Sequence, residues 1–501
     1  MTNTLFDALM GPHAGETRDF LILPDDTVLS YDALYRLSGR LANLLVAEGV
    51  GPGDRVAVQV EKSPEALALY LATVRAGGVF LPLNTAYTPA EIAYFVGDAE
   101  PALVVCDPAR EGRRDDFMPK DAKLMTLGPD GKGSLMDAAA DRAESHDPIP
   151  RKGEDLAAIL YTSGTTGRSK GAMLSHDNLL SNARTLADAW RFTSDDVLLH
   201  ALPIFHTHGL FVASNVVMLT GGALIWLPKF DAAQVVGLLP RATSMMGVPT
   251  FYTRLLDRDD FTRDLVQNMR LFTSGSAPLL AETHRAFEDR TGHRILERYG
   301  MTETNMNTSN PYEGDRRAGT VGFPLPGVEL KITGEDGAEL PRGEIGTIEV
   351  RGDNVFQGYW RMPEKTAEEL AADGWFKTGD LGMIDPDGYV VIVGRGKDLI
   401  ISGGFNIYPK EVELLIDEMP GVLESAVIGV PHPDFGEGVV AVIARAKGTE
   451  PDPNGIIASL SDRLAKFKQP KKVIVIDELP RNTMGKVQKA ALRADYADLF
   501  A

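Results

Sequence analysis

The segment Tyr161-Thr-Ser-Gly-Thr-Thr-Gly-Arg-Ser-Lys-Gly171 constrains the chain more than any other. The apolar run Leu156–Tyr161 before it has the length of a buried strand. Glycines let backbone N–H groups turn inward, hydroxyls donate hydrogen bonds, and the cations Arg168 and Lys170 neutralise charge, as binding of a polyphosphate requires. Lys170 precedes Gly171 rather than Ser or Thr, unlike the common ATPase loop. The segment predicts a strand and a phosphate-binding loop, with a flexible surface turn as the alternative.

Helix and strand signals alternate along the N-terminal part of the chain. Hydroxyl residues that cap helices stand at Ser30, Ser63 and Thr88, and the last two precede proline. Apolar runs of strand length, Arg55–Val60 and Val79–Leu83, lie between them. This alternation predicts an α/β fold with parallel strands.

Length, charge and cysteine content exclude several classes of protein. A chain of 501 residues exceeds one ordinary core and is expected to divide into domains. A net charge of −19 argues against general nucleic-acid binding. Because Cys106 is the only cysteine, the chain can form neither an intrachain disulfide nor a cysteine zinc cluster, which fits a reducing cytoplasm.

One uncharged segment, Gly209–Leu227, is long enough to span a bilayer. Ser214, Asn215 and the pair Gly221-Gly222 interrupt it, so we expect a buried helix, a glycine turn and a strand over Ala223–Leu227. The N-terminus lacks the pattern of a signal peptide. We therefore predict a cytoplasmic protein that does not bind membranes.

The glycine-rich segment resembles the phosphate loop of the adenylate-forming enzymes, the superfamily that includes the acyl-CoA synthetases. Four further segments, in the same order as in that family, strengthen the resemblance: Glu297–Glu303, Thr378-Gly-Asp380, Gly394–Gly404 and Pro480–Lys486. The resemblance implies an α/β fold in which a large N-terminal domain of layered sheets and helices carries a small, mobile α+β C-terminal domain. It places the AMP-binding and acyl-pocket domain at 1–394, a hinge at 395–397 and a lid domain with the catalytic lysine at 398–501.

The resemblance also assigns roles in the transfer of AMP from ATP to a carboxylate. Tyr299 is expected to stack on adenine, Asp380 to accept the ribose hydroxyls, and Thr302 to donate to the α-phosphate. Lys486 is expected to bridge the attacking carboxylate and the α-phosphate, with His206 as a further catalytic residue. Mg²⁺ is the implied cofactor, with Glu303 and Thr166 as its ligands. The implied ATP and AMP contacts are Thr162, Ser163, Gly164, Thr165, Thr166, Lys170, Glu297, Arg298, Tyr299, Asp380 and Arg395.

CoA is the implied acceptor of the acyl group. Gly403 and Gly404 correspond to the wall of the family's pantetheine tunnel, where a side chain would block the thiol. Lys397 occupies the hinge position, where many members have aspartate and some have lysine. Lys466 and Lys468 lie in a run of cations and are predicted to bind the CoA phosphates, with a solvated helix end as the alternative.

The acyl pocket of the family is formed by the helix after Val248-Pro249 and by a turn that matches Gly275–Pro278. Arg254 lies on that helix, and a guanidinium there can hold a carboxylate with two parallel hydrogen bonds. This predicts a dicarboxylic acid with one reacting and one anchored carboxylate; the alternative is a surface cation paired with Asp257 or Asp259. The predicted acyl-substrate residues are Arg254, Ser276, His208, Arg285 and Met306.

The acyl-pocket segments together resemble those of malonyl-CoA synthetases. The resemblance implies an AMP-forming acid–thiol ligase that joins malonate to CoA through malonyl-AMP, with pyrophosphate as the other product. The alternatives are a ligase for methylmalonate or another short- or medium-chain acid, and a free-standing adenylation enzyme that loads a carrier-protein thiol. The loop around Lys486 also resembles the site that lysine acetyltransferases modify in related synthetases, which makes an acetyltransferase and a deacetylase expected partners.

Overall fold

The computed structural model describes residues 2–118, 122–162, 169–403, 405–461, 463–482 and 485–500. Its strands in chain order are β1 Asp19–Ile22, β2 Val28–Ser30, β3 Arg55–Gln59, β4 Val79–Pro82, β5 Leu103–Cys106, β6 Leu124–Thr126, β7 Leu156–Thr162, β8 Lys170–Ser175, β9 Val197–His200, β10 Ala223–Trp226, β11 Ser244–Gly247, β12 Leu271–Ser274, β13 Leu296–Met301, β14 Asn305–Ser309, β15 Phe323–Pro324, β16 Val328–Thr333, β17 Gly346–Gly352, β18 Phe376–Ile384, β19 Val390–Arg395, β20 Ile400–Ser402, β21 Phe405–Ile407, β22 Val422–His432, β23 Gly436–Arg445 and β24 Lys472–Ile476.

The α-helices of the described residues are α1 Thr4–Met10, α2 Tyr31–Ala47, α3 Pro64–Arg75, α4 Pro89–Ala99, α5 Ser134–Ala139, α6 His176–Ala189, α7 Asn215–Thr220, α8 Ala232–Leu238, α9 Pro249–Leu256, α10 Ala281–Thr291, α11 Pro363–Glu369, α12 Pro409–Asp417, α13 Pro453–Leu460 and α14 Lys489–Asp495. A π-helix, His208–Ser214, runs directly into α7. Short 3₁₀ turns occupy Gly11–His13, Pro108–Asp116, Leu239–Arg241, Arg263–Val266 and Gly396–Asp398.

The predicted alternation of helices and parallel strands is confirmed. The order β6-β5-β3-β4-β7-β8 forms one sheet, which is parallel except for the last pair. Side chains of Ser30, Ser63 and Thr88 cap α2, α3 and α4, and the cap of α4 is reciprocated by Glu91. The strand and the helix starts therefore follow from local signals in the sequence.

A second sheet has the order β15-β14-β13-β12-β11-β9-β10-β1-β2. Its central strands β1, β10, β9, β11, β12 and β13 are parallel, so their carboxyl ends lie at one edge. The uncharged segment folds as predicted into a helix, a turn at Gly221 and the strand β10. None of the helices in the described residues is long and apolar enough to cross a membrane.

The C-terminal third changes architecture. Strands β16 to β19 form an antiparallel sheet, and β20 to β24 form a separate sheet covered by α12, α13 and α14. The buried clusters of this last unit are separate from the large core of the N-terminal part. The break between the two sheets, from Arg395 to Ile400, contains the predicted hinge at 395–397. The boundaries 1–394 and 398–501 stay a prediction.

Candidate active site

A buried carboxylate on β18 is held between two side chains of the predicted nucleotide site. The hydroxyl of Tyr299 donates to Oδ2 of Asp380 at 2.6 Å, and Nε of Arg395 lies 3.0 Å from Oδ1. Asp380 and Arg395 are cross-strand partners in β18 and β19, and the carboxylate raises the pKa of that arginine. Asp380, the predicted ribose contact, therefore lies together with Tyr299, the predicted adenine contact, and with Arg395, another predicted nucleotide contact.

Glu303 forms the second part of this site. It is buried, and its Oε1 accepts hydrogen bonds from the hydroxyls of Tyr359 at 3.1 Å and Thr162 at 3.4 Å. Burial raises the pKa of the Glu303 carboxyl, while nearby Lys170 acts in the opposite direction. A buried carboxylate with few compensating charges is a suitable oxygen ligand for Mg²⁺.

Lys170, the cation of the predicted phosphate loop, is buried and has a carboxylate partner. Its ammonium lies 3.1 Å from both oxygens of Glu369 and 4.1 Å from the ring centre of Tyr359. The Tyr359 hydroxyl also lies 2.6 Å from Oε2 of Glu369, so Glu303 and Glu369 share its single hydrogen. The predicted contacts Ser163, Gly164, Thr165 and Thr166 lie outside the described residues.

A second cluster forms the predicted acyl pocket. Nδ1 of His208 lies 3.3 Å from the hydroxyl of Ser276, and Nε2 of this fully buried ring has no hydrogen-bond partner among the described residues. Ser276 has a φ of +70°, a strained value for a residue with a side chain. His206 lies beside His208, and the backbone N–H of His208 donates to Nδ1 of His206 at 3.3 Å. Burial, with the neighbouring Lys486 and Arg298, lowers the pKa of His206 to about 3, so its imidazole is neutral.

Arg298 lies at this acyl cluster, although the sequence placed it among the ATP contacts. A Cβ atom at Gly275 would lie 2.1 Å from Nη1 of Arg298, so the guanidinium is packed beneath the Gly275-Ser276 turn. The side chain is buried, and its Nε and Nη2 have no hydrogen-bond partner in the described part of the chain. Burial lowers the pKa of Arg298 to about 9. An unpaired buried cation of this kind requires an anion.

The other two predicted arginines are exposed. Arg254 lies on α9, on the face away from buried Phe251, Tyr252 and Leu255. It is a surface cation, as in the alternative interpretation, although it forms no ion pair with Asp257 or Asp259, both of which the structure describes. Arg285 is exposed on α10. A role for either in binding a carboxylate stays a prediction.

The loop that carries Lys486 docks against the N-terminal domain. A Cβ atom at Gly485 would lie 3.4 Å from Oγ1 of Thr250, the second residue of α9. Burial, followed by repulsion from Arg395, lowers the pKa of Lys486 to about 8, and Asp380 and Glu303 act in the opposite direction. The lysine therefore lies within electrostatic reach of both the nucleotide cluster and the acyl cluster.

The remaining predicted residues differ in how closely they approach these clusters. Glu297 is buried, which raises its pKa to about 8, and accepts a hydrogen bond from the backbone of Gly319. Met306 is buried, and Thr302 is half-buried at the turn after β13. Gly403, Lys397 and Lys466 are exposed, whereas Lys468 pairs with Glu411 at 2.7 Å. Gly404 lies outside the described residues.

Several residues of the site carry no separate signal in the sequence. Tyr359 and Glu369 follow the phosphate loop by almost two hundred residues and carry no motif of their own. The hydroxyl of Thr207 donates to the side chain of Asn305, which has a φ of +51° at the start of β14. A tyrosine between two acidic side chains becomes visible only when the fold brings them together.

Comparison with known proteins agrees with this geometry. Residues 13–360 match the AMP-binding enzymes, and residues 411–486 match the AMP-binding enzyme C-terminal domain. The chain belongs to the AMP-binding enzyme family, as the sequence predicted. The ATP-bound crystal structure of MatB from Rhodopseudomonas palustris is similar over 100% of both chains, with 61% identity and a TM-score of 0.98. The malonate–CoA ligase of Arabidopsis thaliana is 36% identical over 89% of this chain and 79% of its own.

The arrangement of the two domains resembles the nucleotide-bound form of that relative. The apo crystal structure of the same MatB, equally similar in sequence, gives a TM-score of 0.86. Because the two MatB structures share their sequence, the difference reflects conformation. This agrees with the docking of Gly485 on α9, and the adenylate-forming fold with its large and small domains is confirmed.

Proposed function

We propose that this chain is an AMP-forming malonate–CoA ligase. ATP and malonate form malonyl-AMP and pyrophosphate, and CoA then takes the malonyl group and releases AMP. The observation that carries the substrate assignment is the buried guanidinium of Arg298, whose Nε and Nη2 have no partner among the described residues, beside the neutral histidines of the acyl cluster. A monocarboxylate would leave this cation without a partner, whereas the distal carboxylate of malonate supplies one. The malonate–CoA ligase among the relatives supports the same substrate.

Adenylation places two anions next to each other. Arg298 and the hydroxyl of Ser276 bind the distal carboxylate of malonate, which leaves the other carboxylate directed toward the α-phosphate. The ammonium of Lys486 lies between the nucleotide and acyl clusters and stabilises the charge on the attacking oxygen and the α-phosphate. The carboxylate oxygen forms a bond to the α-phosphorus while the bond to pyrophosphate breaks. His206 remains neutral and acts as a hydrogen-bonding group rather than as an acid.

Mg²⁺ is the proposed cofactor, and the residues present fit it. Glu303 offers a buried carboxylate, and Lys170 and Arg395 are cations that act on its charge. When bound, the ion neutralises charge on the phosphates of ATP. Tyr359 and Thr162 orient the Glu303 carboxylate by donating to its Oε1. Asp380 accepts the ribose hydroxyls, which fixes the nucleotide along β18.

Thioester formation requires a different arrangement, because Lys486 occupies the site in the present one. Rotation about residues 395–397 would remove the lysine loop and bring Gly403 and Gly404 toward the acyl group. The thiolate of CoA then attacks the carbonyl of malonyl-AMP, and AMP leaves. Lys466 is free to contact the CoA phosphates, whereas Lys468 would first leave Glu411. The cytoplasmic location and acetylation of Lys486 stay predictions.

One assay tests the proposed function. AMP release is measured with malonate, methylmalonate, succinate, acetate and octanoate, each with and without CoA. We expect malonate to have the highest kcat/KM, methylmalonate to react more slowly, and AMP release to depend on CoA. Preference for acetate or octanoate would contradict the assignment of a dicarboxylate. Transfer to a carrier protein without use of CoA would favour the carrier-loading alternative.

Replacement of Arg254 measures the contribution of the exposed arginine. As an anchor of the distal carboxylate, Arg254 would contribute roughly 1.5–3 kcal/mol, and Arg254→Ala would lower kcat/KM for malonate about tenfold while leaving acetate, the control substrate, nearly unchanged. Because Arg254 is exposed and Arg298 is the proposed anchor, we expect instead that kcat/KM changes within about twofold for both acids. A loss of about tenfold confined to malonate would contradict this and show that Arg254 helps to hold the distal carboxylate.

Replacement of the hinge residue separates the two half-reactions. Lys397 is exposed in the 3₁₀ turn Gly396–Asp398, so its side chain stabilises little by packing. Proline fixes φ, and Lys397→Pro should therefore spare malonyl-AMP formation while CoA-dependent turnover falls at least about tenfold. Lys397→Ala, which leaves the backbone free to rotate, is the control. A parallel loss of both half-reactions in the proline variant would contradict rotation at this residue.

A further inference from the structure

A buried lysine from the six-stranded sheet reaches the nine-stranded sheet behind the acyl cluster. Lys62 follows β3 and is 6% exposed, and its ammonium lies 2.7 Å from Nδ1 and 2.8 Å from the backbone oxygen of His200. It also lies 4.1 Å from the ring centre of Trp226, the cross-strand partner of His200. These three acceptors account for the three N–H bonds of the ammonium, and none of its partners in the described residues is a carboxylate.

The position of Lys62 determines which nitrogen of His200 carries the proton. Because Nδ1 accepts from the ammonium, Nε2 bears hydrogen and donates to the backbone oxygen of Gly209 at 2.8 Å. The hydroxyl of Ser214 donates to the same oxygen at 2.9 Å. Burial and the charge of Lys62 both lower the pKa of His200, which keeps the ring neutral. Nε2 of His200 is therefore always the donor and the backbone oxygen of Gly209 the acceptor in this hydrogen bond.

Gly209 connects this arrangement to the acyl pocket. It follows His208 in the first turn of the π-helix, and a Cβ atom at this glycine would lie 2.1 Å from the backbone oxygen of Pro203. The segment between them carries His206, whose backbone oxygen accepts from Leu210 at 3.0 Å. A carbonyl fixed from behind by His200 therefore holds the turn that presents both histidines to the substrate.

We propose that Lys62 is a positioning residue for the acid substrate: through His200 and the backbone of Gly209 it fixes the histidine wall of the acyl pocket. Lys62 does not touch malonate in this arrangement. Its loss would free His200 to exchange tautomers or turn, and the histidine wall would lose its fixed orientation. Misplacement of a pocket wall by about 1 Å is enough to lower rates by roughly 100-fold in some enzymes, so a change of about tenfold is the expected scale here. This inference rests on the proposed function for the identity of the acid.

The test uses the full-length enzyme and a matched control. We expect Lys62→Met to raise KM for malonate about tenfold while KM for ATP stays within about twofold. Lys62→Gln keeps an N–H donor for His200 and should recover most of the affinity. Arg75→Met is the control, because Arg75 is also buried and donates to backbone oxygens of Tyr35 and His146, away from the pocket. Similar increases in the malonate KM of Lys62→Met and Arg75→Met would overturn the proposal.

A double-variant cycle tests whether Lys62 acts through His200. His200→Asn keeps an acceptor near the Nδ1 position but cannot reach Gly209. If Lys62 acts through this ring, the loss of kcat/KM in the double variant is no larger than the loss in the more impaired of the two single variants. Losses that multiply would exclude this route. If the wild-type enzyme prefers another acid, the proposed function fails, but the same comparison made with the preferred acid still decides the role of Lys62. If the Lys62→Met protein does not fold, the variants Lys62→Gln and His200→Asn decide it.

Discussion

Lys486→Ala is expected to lower the rate of malonyl-AMP formation by about 10²–10³, the range seen when one preorganised donor to a developing charge is removed. The lysine lies between the nucleotide and acyl clusters, where Asp380 and Glu303 favour its charged form. Its loop docks on α9 in the present arrangement, which resembles the ATP-bound relative. Thioester formation uses the other arrangement, so the variant should convert supplied malonyl-AMP and CoA to malonyl-CoA almost normally.

The measurement follows pyrophosphate release for the first step and malonyl-CoA formation from synthetic malonyl-AMP for the second. Lys489→Ala is the matched control, since Lys489 lies on α14 in the same domain and pairs with Glu413. It should leave adenylation nearly unchanged. A thioester step slowed as severely as adenylation in Lys486→Ala would contradict a role confined to the first arrangement. Acetylation of Lys486 removes the same charge and should have the same effect.

Arg298→Met is expected to lower kcat/KM for malonate about 100-fold, or roughly 2.7 kcal/mol, because loss of one member of a buried charge pair costs about 2–5 kcal/mol. The distal carboxylate would enter a pocket of neutral histidines with no cation beneath Ser276. Acetate places no anion there and should react as well as with the wild-type enzyme. The ratio of the two values of kcat/KM is therefore the measured quantity.

The same variant separates binding from folding. In the free enzyme, Nε and Nη2 of Arg298 have no partner among the described residues, so an apolar side chain of similar length should not lower the melting temperature. Arg298→Lys keeps a charge but not the planar donor pair and should recover malonate only in part. A fall in melting temperature together with equal losses for acetate and malonate would show that Arg298 has a structural role instead.

The cluster of Tyr299, Glu303 and Asp380, the predicted nucleotide site, consists of residues that short segments single out. Tyr299, Glu303 and Asp380 each lie in a motif of a few residues, and the local backbone of β13 and β18 already determines where such side chains point. Helix starts at Ser30, Ser63 and Thr88 were equally local. The acyl pocket could not be predicted in this way. Arg298 is next to Tyr299 in sequence, but alternation along β13 sends the two side chains to opposite faces, one toward Asp380 and the other beneath Gly275.

By itself, the sequence determined the family and the α/β class, because both depend on short motifs and on alternating elements that are local along the chain. Only the tertiary structure decided that Nε and Nη2 of Arg298 are buried without a partner among the described residues, that Lys170 pairs with Glu369, and that Lys62 meets His200 across 138 residues. These features depend on desolvation and on distances between different sheets. No single segment determines either quantity, because both arise only when the folded chain brings groups from different sheets into contact.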